Sequence, residues 1–293
     1  MIFDYRCFFC LVKSFEKVLE KEDIPLTAKN QFTHELTGFY TNNWGKLNSP
    51  EFARELHALL RVYTHNDDPY RDRKKTSNDE VLELVPWLNR LISESDDRFI
   101  TALRLSIAGN IIDFAANDSF DVKEEIRAAL KNDFAIDHSE RLHEAVALAK
   151  SILYIGDNAG EIVFDRLFIE TLKSRKVTYV VRGGPVINDA TMDDALYTGM
   201  HSVARVISGG YDAPSAIPEK SGPEFRQLFE TSDLIISKGQ GNLEGLYSYN
   251  DKRIFFLLLV KCNVIAELLG VKKKGLIVMN GQHGKQINDK RAE

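Results

Sequence analysis

Apolar residues recur at three- and four-residue spacing through the first half of the chain, as in Phe52, Leu56, Leu59, Leu60 and Tyr63 and again in Val81, Leu84, Val85 and Leu88. That period stacks them on one face of a helix, so residues 1 to about 149 are expected to be helical almost throughout, with no strand. A polar stretch at 65–75 breaks the pattern. Pro69 disfavours helix at the residue before it, and the stretch reads as a loop whose charges either face water or line an entrance.

From Ser151 the texture changes. Short β-rich runs at 152–155, 177–181, 203–207, 234–237 and 276–279 alternate with amphipathic segments such as the one carrying Ile162, Val163, Leu167, Phe168 and Leu172. The apolar run after Arg253 reads as helix. Strands alternating with helices predict an α/β fold, here a three-layer α/β/α Rossmann-like parallel sheet preceded by an all-helical N-terminal domain. The expected division is 1–140 for the helical domain and 141–293 for the sheet domain, which would carry the site.

Composition narrows the function classes. With 293 residues, 44% of them hydrophobic, the chain can bury a sizeable core. No apolar run approaches the roughly 20 residues of a membrane helix, and the N-terminal apolar patch is flanked by both charge signs, unlike a signal peptide, so a cytoplasmic protein with no membrane partner is expected. A net charge of -5 offers no general attraction to nucleic acid and favours small-molecule chemistry. Three cysteines, an odd number, fit a reducing compartment better than a disulfide scaffold. Cys7 and Cys10 form a C-x-x-C pair, but no second pair completes a zinc set. Packing as small hydrophobes and a redox or metal role both stand at this point.

The residues that follow each expected strand are polar and glycine-rich: Asp157-Asn158, then Arg182 to Asp189, Ser208-Gly209-Gly210, Lys238 to Asn242, and Asn280-Gly281. In a parallel sheet these ends share the carboxyl edge, where ligands bind. Asp157, Asn158 and Asp189 would supply two carboxylates and an amide oxygen, donors that suit Mg²⁺ or Mn²⁺. Each has an alternative as a helix cap or turn residue. Lys238 and Arg182 stand beside glycine turns whose N–H groups can cradle phosphate, although the glycines can equally serve the turns alone. The Gly239-x-Gly241 loop is a weak nucleotide-binding match, lacking the acidic ribose residue expected downstream.

Three segments, Gly156-Asp157-Asn158-Ala159-Gly160-Glu161, the run from Arg182 to Thr191 and Ser237-Lys238-Gly239-Gln240-Gly241-Asn242, resemble in order and spacing the signatures of the damage-control phosphatase family, once known as domain of unknown function 89. The likeness extends to the Cys7/Cys10 pair, to Ala108-Gly109-Asn110-Ile111-Ile112-Asp113 and to Lys261-Cys262, as in the small microbial branch. The resemblance implies a metal-dependent phosphatase acting on small phosphorylated metabolites, particularly sugar phosphates, with Mn²⁺, Ni²⁺, Co²⁺ or Mg²⁺. It implies Asp157, Asn158 and Asp189 as metal ligands, Asp157, Asp189 and Lys238 as catalytic groups, and Lys238, Gly239, Gln240, Arg182 and Asn110 around the substrate. Asn110 and Asp113 would approach from the helical part, or else pack helices. Competing classes are an S-adenosylmethionine- or nucleotide-dependent transferase on the same sheet and a non-enzymatic metabolite sensor.

Overall fold

The computed structural model describes residues 4–109, 122–172 and 176–282. Five helices come first: α1 (Tyr5–Lys21), α2 (Leu26–Asn42), α3 (Ser49–Thr64), α4 (Arg71–Glu94) and α5 (Arg98–Ala108). Their starts follow from local chemistry. Asp4 and Asp97 accept backbone N–H bonds as N-caps of α1 and α5, and Asn48 with Glu51 forms a reciprocal capping box on α3. The expected loop is shorter than its charge suggested, because Arg71 to Lys75 already belong to α4.

The rest alternates: α6 (Val122–Lys131), β1 (Phe134–Asp137), α7 (Ser139–Leu148), β2 (Ser151–Ile155), α8 (Glu161–Thr171), β3 (Lys176–Val181), α9 (Met192–Tyr197), β4 (Arg205–Ser208), α10 (Pro223–Thr231), β5 (Leu234–Lys238), α11 (Gly239–Leu246), β6 (Ile254–Leu259), α12 (Asn263–Leu269) and β7 (Leu276–Asn280). The strands form one sheet in the order β1-β7-β6-β5-β2-β3-β4. The α/β architecture is as expected, with three corrections in detail. A strand, β1, lies within the half read as wholly helical. The apolar run after Arg253 is the buried strand β6, since a short continuous apolar run has no period to separate strand from helix. The sheet is mixed: β7 runs antiparallel to β6 and pairs parallel with β1. Asn280, opposite Phe255 at the start of β6, therefore sits at the edge away from the other four strand ends.

Alternation along the strands divides the core. Ile152 and Tyr154 of β2 and Leu234 and Ile236 of β5 face one layer, shared with Val81 and Leu88 of α4, Leu103 of α5 and Phe164 and Phe168 of α8. Leu153, Ile155 and Ile235 face the other, with Phe225 of α10, Leu243 of α11 and Ile265 of α12. Helices α1 to α3 keep a smaller cluster of their own around Phe15, Phe32, Phe52 and Leu56. Helices α4 and α5 thus pack as part of the sheet's own covering layer.

Polar ties hold the early helices over the loops of the carboxyl edge. Arg54 and Arg61 of α3 both pair with Asp212 (2.6 and 2.9 Å), and Arg61 also donates to the Pro185 carbonyl. Buried Lys74 pairs with Asp68 and Asp194, while Asn78 donates to Asp194 and accepts the Gly160 N–H at 2.7 Å. Lys74 is thus part of a buried clasp, with no solvated face.

Candidate active site at the switch point of the sheet

The chain leaves β2 to build β3 and β4 on one side, then returns to build β5 and β6 on the other. Strand order therefore reverses between β2 and β5, and the crevice outside their carboxyl ends is where an open α/β sheet binds ligands. Asp157-Asn158 follow β2 and Gly239-Gln240 follow β5. The two segments touch: a Cβ on Gly239, whose φ is +79°, would lie 1.9 Å from Asp157 Oδ2. Only glycine leaves room there for the carboxylate.

Backbone pairing brings in the third strand end. Gly156 N–H donates to Val180, Ala159 N–H to Asn188 and Ala190 N–H to Asp157, which lays Asn158 against Asp189 in a short antiparallel bridge. Gly156 is obligatory as well, since a Cβ would meet the Tyr179 hydroxyl at 2.3 Å. Asp157, Asn158 and Asp189 are 7%, 6% and 3% exposed, sunk in the edge but not sealed.

Arg182 organises them. Its Nε donates to Asp189 Oδ2, its Nη2 to Asp157 Oδ1 at 3.1 Å and its Nη1 to Asn242 Oδ1 at 2.9 Å. Burial alone would lower its pKa, but Asp189 and Asp157 outweigh that and hold the guanidinium above its ordinary value. Burial raises the Asp189 carboxyl, with Arg182 opposing and Asp157 adding to the rise. Two carboxylates and one cation leave a formal charge of about -1, and each carboxylate gives Arg182 only one oxygen. Asn158 donates its amide to Asp157 Oδ2 (3.2 Å) and Glu161 Oε2 (3.4 Å), so its carbonyl oxygen is the donor it can offer a cation. This all-oxygen, net-negative set fits a hard divalent ion held by Asp157, Asn158 and Asp189. No group of three or more His, Cys, Asp or Glu side chains among the described residues gathers in a metal-holding arrangement; the candidate set relies on the asparagine.

Lys238 lies elsewhere than expected. Its ammonium is fully buried and its three N–H groups go to Asp165 Oδ1 (2.6 Å), Glu161 Oε1 (2.7 Å) and the Ser106 carbonyl (2.8 Å). Asp165 also accepts the hydroxyls of Tyr154 and Tyr179 at 2.8 and 2.9 Å. Burial opposes the charge on Lys238, but Asp165 and Glu161 together keep it protonated. A lysine with three acceptors has no proton left for a phosphate. Arg182 commits three of its five N–H donors to Asp189, Asp157 and Asn242 inside the protein. Gly239 and Gln240 sit at the edge as expected, and Asn110 and Asp113 lie outside the described residues.

Sequence reasoning gave four residues no role in the site. Asn242 makes four bonds, accepting from Arg182 and Ala216 and donating to the Gly156 and Lys238 carbonyls, and so fastens the end of β2 to that of β5. Glu161 and Asp165, four apart on an otherwise apolar face of α8, carried a signal in that spacing. Lys261, just past β6, favours the ionised form of Asp189 through its charge. Reading the run after Arg253 as a strand would have added its end to the edge.

Comparisons with known proteins show the family and the fold. The damage-control phosphatase ARMT1-like domain matches residues 3–277. The chain belongs to this family. Damage-control phosphatase PH1575 of Pyrococcus horikoshii is 33% identical over 283 residues, covering 95% of this chain and 98% of the relative. A damage-control phosphatase of Archaeoglobus fulgidus is 36% identical over 226 residues, covering 75% and 78%. The crystal structure of PH1575, titled as a protein of the same family under its older designation, superposes with a TM-score of 0.89 at 31% identity, covering 96% of this chain and 99% of that one. As a damage-control phosphatase family member, the chain carries the fold of its relatives nearly end to end.

Proposed function

We propose that the protein is a metal-dependent phosphatase of small phosphorylated metabolites. The observation that carries this is the meeting of Asp157, Asn158 and Asp189 around one arginine at the switch point. Family membership and the relatives' names favour phosphate ester hydrolysis over the other chemistries this sheet supports.

Asp157, Asn158 and Asp189 would hold a divalent cation, which when bound supplies charge neutralisation and an activated water. The rest is the work of the chain. Arg182 fixes both carboxylates so that their remaining oxygens keep one orientation, and Asn242 fixes Arg182. The Gly239 and Gln240 N–H groups, at the start of α11, face the edge with the positive end of the helix dipole and suit an anionic phosphoryl group. Lys261 adds positive charge near Asp189.

A phosphate-release screen across sugar phosphates, nucleotides and other small monoesters, run with Mn²⁺, Ni²⁺, Co²⁺, Mg²⁺ or a chelator, tests the reading. Metal-stimulated release from small monoesters, with sugar phosphates among the best, is the expected result. Tight binding of these compounds without turnover under any metal would replace it with a sensor.

A further inference from the structure

Cys262 lies far in sequence from the Cys7/Cys10 pair, yet all three cysteines line one cavity. A pocket of about 610 Å³ lies between α1, the start of α3, α11 and α12, and its wall includes Cys7, Cys10 and Cys262 together with Gln240, Glu244 and Lys261. Cys10 is exposed and the other two are partly buried. Burial raises the Cys10 thiol above its ordinary value, with smaller rises from Cys262 and Glu244; the geometry that brings Cys10 and Cys262 together is the cavity wall they share. For Cys7 burial also dominates, with Glu244 next and Cys262 contributing less. The Arg6–Glu267 ion pair at 2.8 Å already docks α1 on α12 beside the cavity. No metal-holding set of three or more His, Cys, Asp or Glu side chains is found among the described residues, so the thiols do not form a preformed metal centre.

Cys262 is also wired to the catalytic edge. Gln240 Nε2 donates to its sulfur at 3.3 Å, and Gln240 Oε1 accepts the Lys261 N–H at 3.1 Å. The same glutamine follows Gly239, whose backbone bears on Asp157. A change at the Cys262 sulfur therefore acts on the first turn of α11, beside the candidate active site.

We propose that this cavity is a thiol–disulfide site in which a low-molecular-weight disulfide oxidises Cys10 and Cys262 to a bond between them. The exposed Cys10 loses its proton and attacks one sulfur of the small disulfide. A mixed disulfide forms, and the departing thiolate takes up that proton. Cys262, deprotonated in turn, attacks the Cys10 sulfur, forms the Cys10–Cys262 bond and expels the second small thiol with its proton. Two protein thiols are oxidised and one small disulfide is reduced to two thiols. The new bond turns the Cys262 sulfur towards α1 and takes away the acceptor of Gln240 Nε2, loosening the first turn of α11. It also ties α1 to α12 covalently, closing a very long loop.

The effect on turnover rests on the phosphatase reading; the bond itself does not. Full-length protein is incubated with oxidised or reduced glutathione, digested without reduction and mapped by mass spectrometry, in parallel with thermal melts and phosphate-release assays. The expected result is a Cys10–Cys262 peptide pair, a melting point raised by several degrees and phosphate release lowered several-fold, all reversed by dithiothreitol. Cys10→Ser should keep the reduced protein's activity and lose the response to oxidation. A Cys7–Cys10 bond, a glutathione adduct that never resolves onto Cys262, unchanged turnover in the bonded protein, or an undiminished response in Cys10→Ser would overturn the proposal. Absence of turnover in the reduced protein would count against the phosphatase reading alone, with the peptide map still deciding the bond.

Discussion

Two buried clusters with the same formula, one cation between two carboxylates, lie on either side of the β2 and β5 ends. Lys238 with Glu161 and Asp165 is closed: its ammonium has three acceptors, and Asp165 has three donors. Arg182 with Asp157 and Asp189 is open, because the guanidinium uses one oxygen of each carboxylate and both stand at a loop edge. Formal charge does not separate them; saturation and depth do. A closed cluster fixes the approach of α5 and α8 to β5, whereas an open one keeps oxygen lone pairs for a ligand.

The comparison breaks most visibly at Lys238. Lys238→Met strips the counter-charge from two buried carboxylates, and a loss of about 3–5 kcal/mol is expected, read as a collapse of the urea midpoint or as insoluble protein. Asp157→Asn should do the reverse, leaving Arg182 paired with Asp189 and the melting point nearly unchanged while metal-stimulated phosphate release falls at least about a thousandfold. If both variants lose stability alike, the two clusters do not differ as described.

Gly239→Ala probes the seam between them. The added methyl meets Asp157 Oδ2 and demands a left-handed backbone, so activity should fall about a hundredfold, with a stability loss of about 1–3 kcal/mol by denaturant melts. Tyr179→Phe removes one of three donors to Asp165, and a loss of about 1–2 kcal/mol with turnover kept would mark the Lys238 cluster as structural.

The last effect concerns a buried carboxyl. Burial pushes Glu244 up to about 7 from an ordinary 4.5, against hydrogen bonds from Gln240 and Ser49. Because the folded pKa lies above the unfolded one, its stabilising contribution is complete below pH 4.5 and disappears as pH rises through 7. Glu244→Gln should flatten that part of the melting-point profile by an amount on the order of 1–3 kcal/mol.

Much of the open cluster was legible in the sequence. Asp157, Asn158 and Asp189 each follow a β-rich run, and the carboxyl edge of an α/β sheet gathers such ends. The closed cluster was not, because the fate of Lys238 depends on Asp165, Ser106, Tyr154 and Tyr179, which no local pattern links to it. Strand direction was hidden too. The run from Leu276 to Asn280 is buried throughout, and such a strand reads the same in either direction, so Asn280-Gly281 was placed on the wrong edge. Gly239 and Gly156 looked like turn residues, and only three dimensions give the carboxylate and the tyrosine hydroxyl that exclude a side chain there.

The most direct test of the open cluster is calorimetric titration of Mn²⁺ into the wild-type protein, Asp157→Asn, Asp189→Asn and Tyr179→Phe, each first shown to be folded. One ion per chain should bind to the wild-type and Tyr179→Phe proteins, with binding abolished in both aspartate variants. Undiminished binding in Asp157→Asn and Asp189→Asn would contradict the assignment of the cation to this edge.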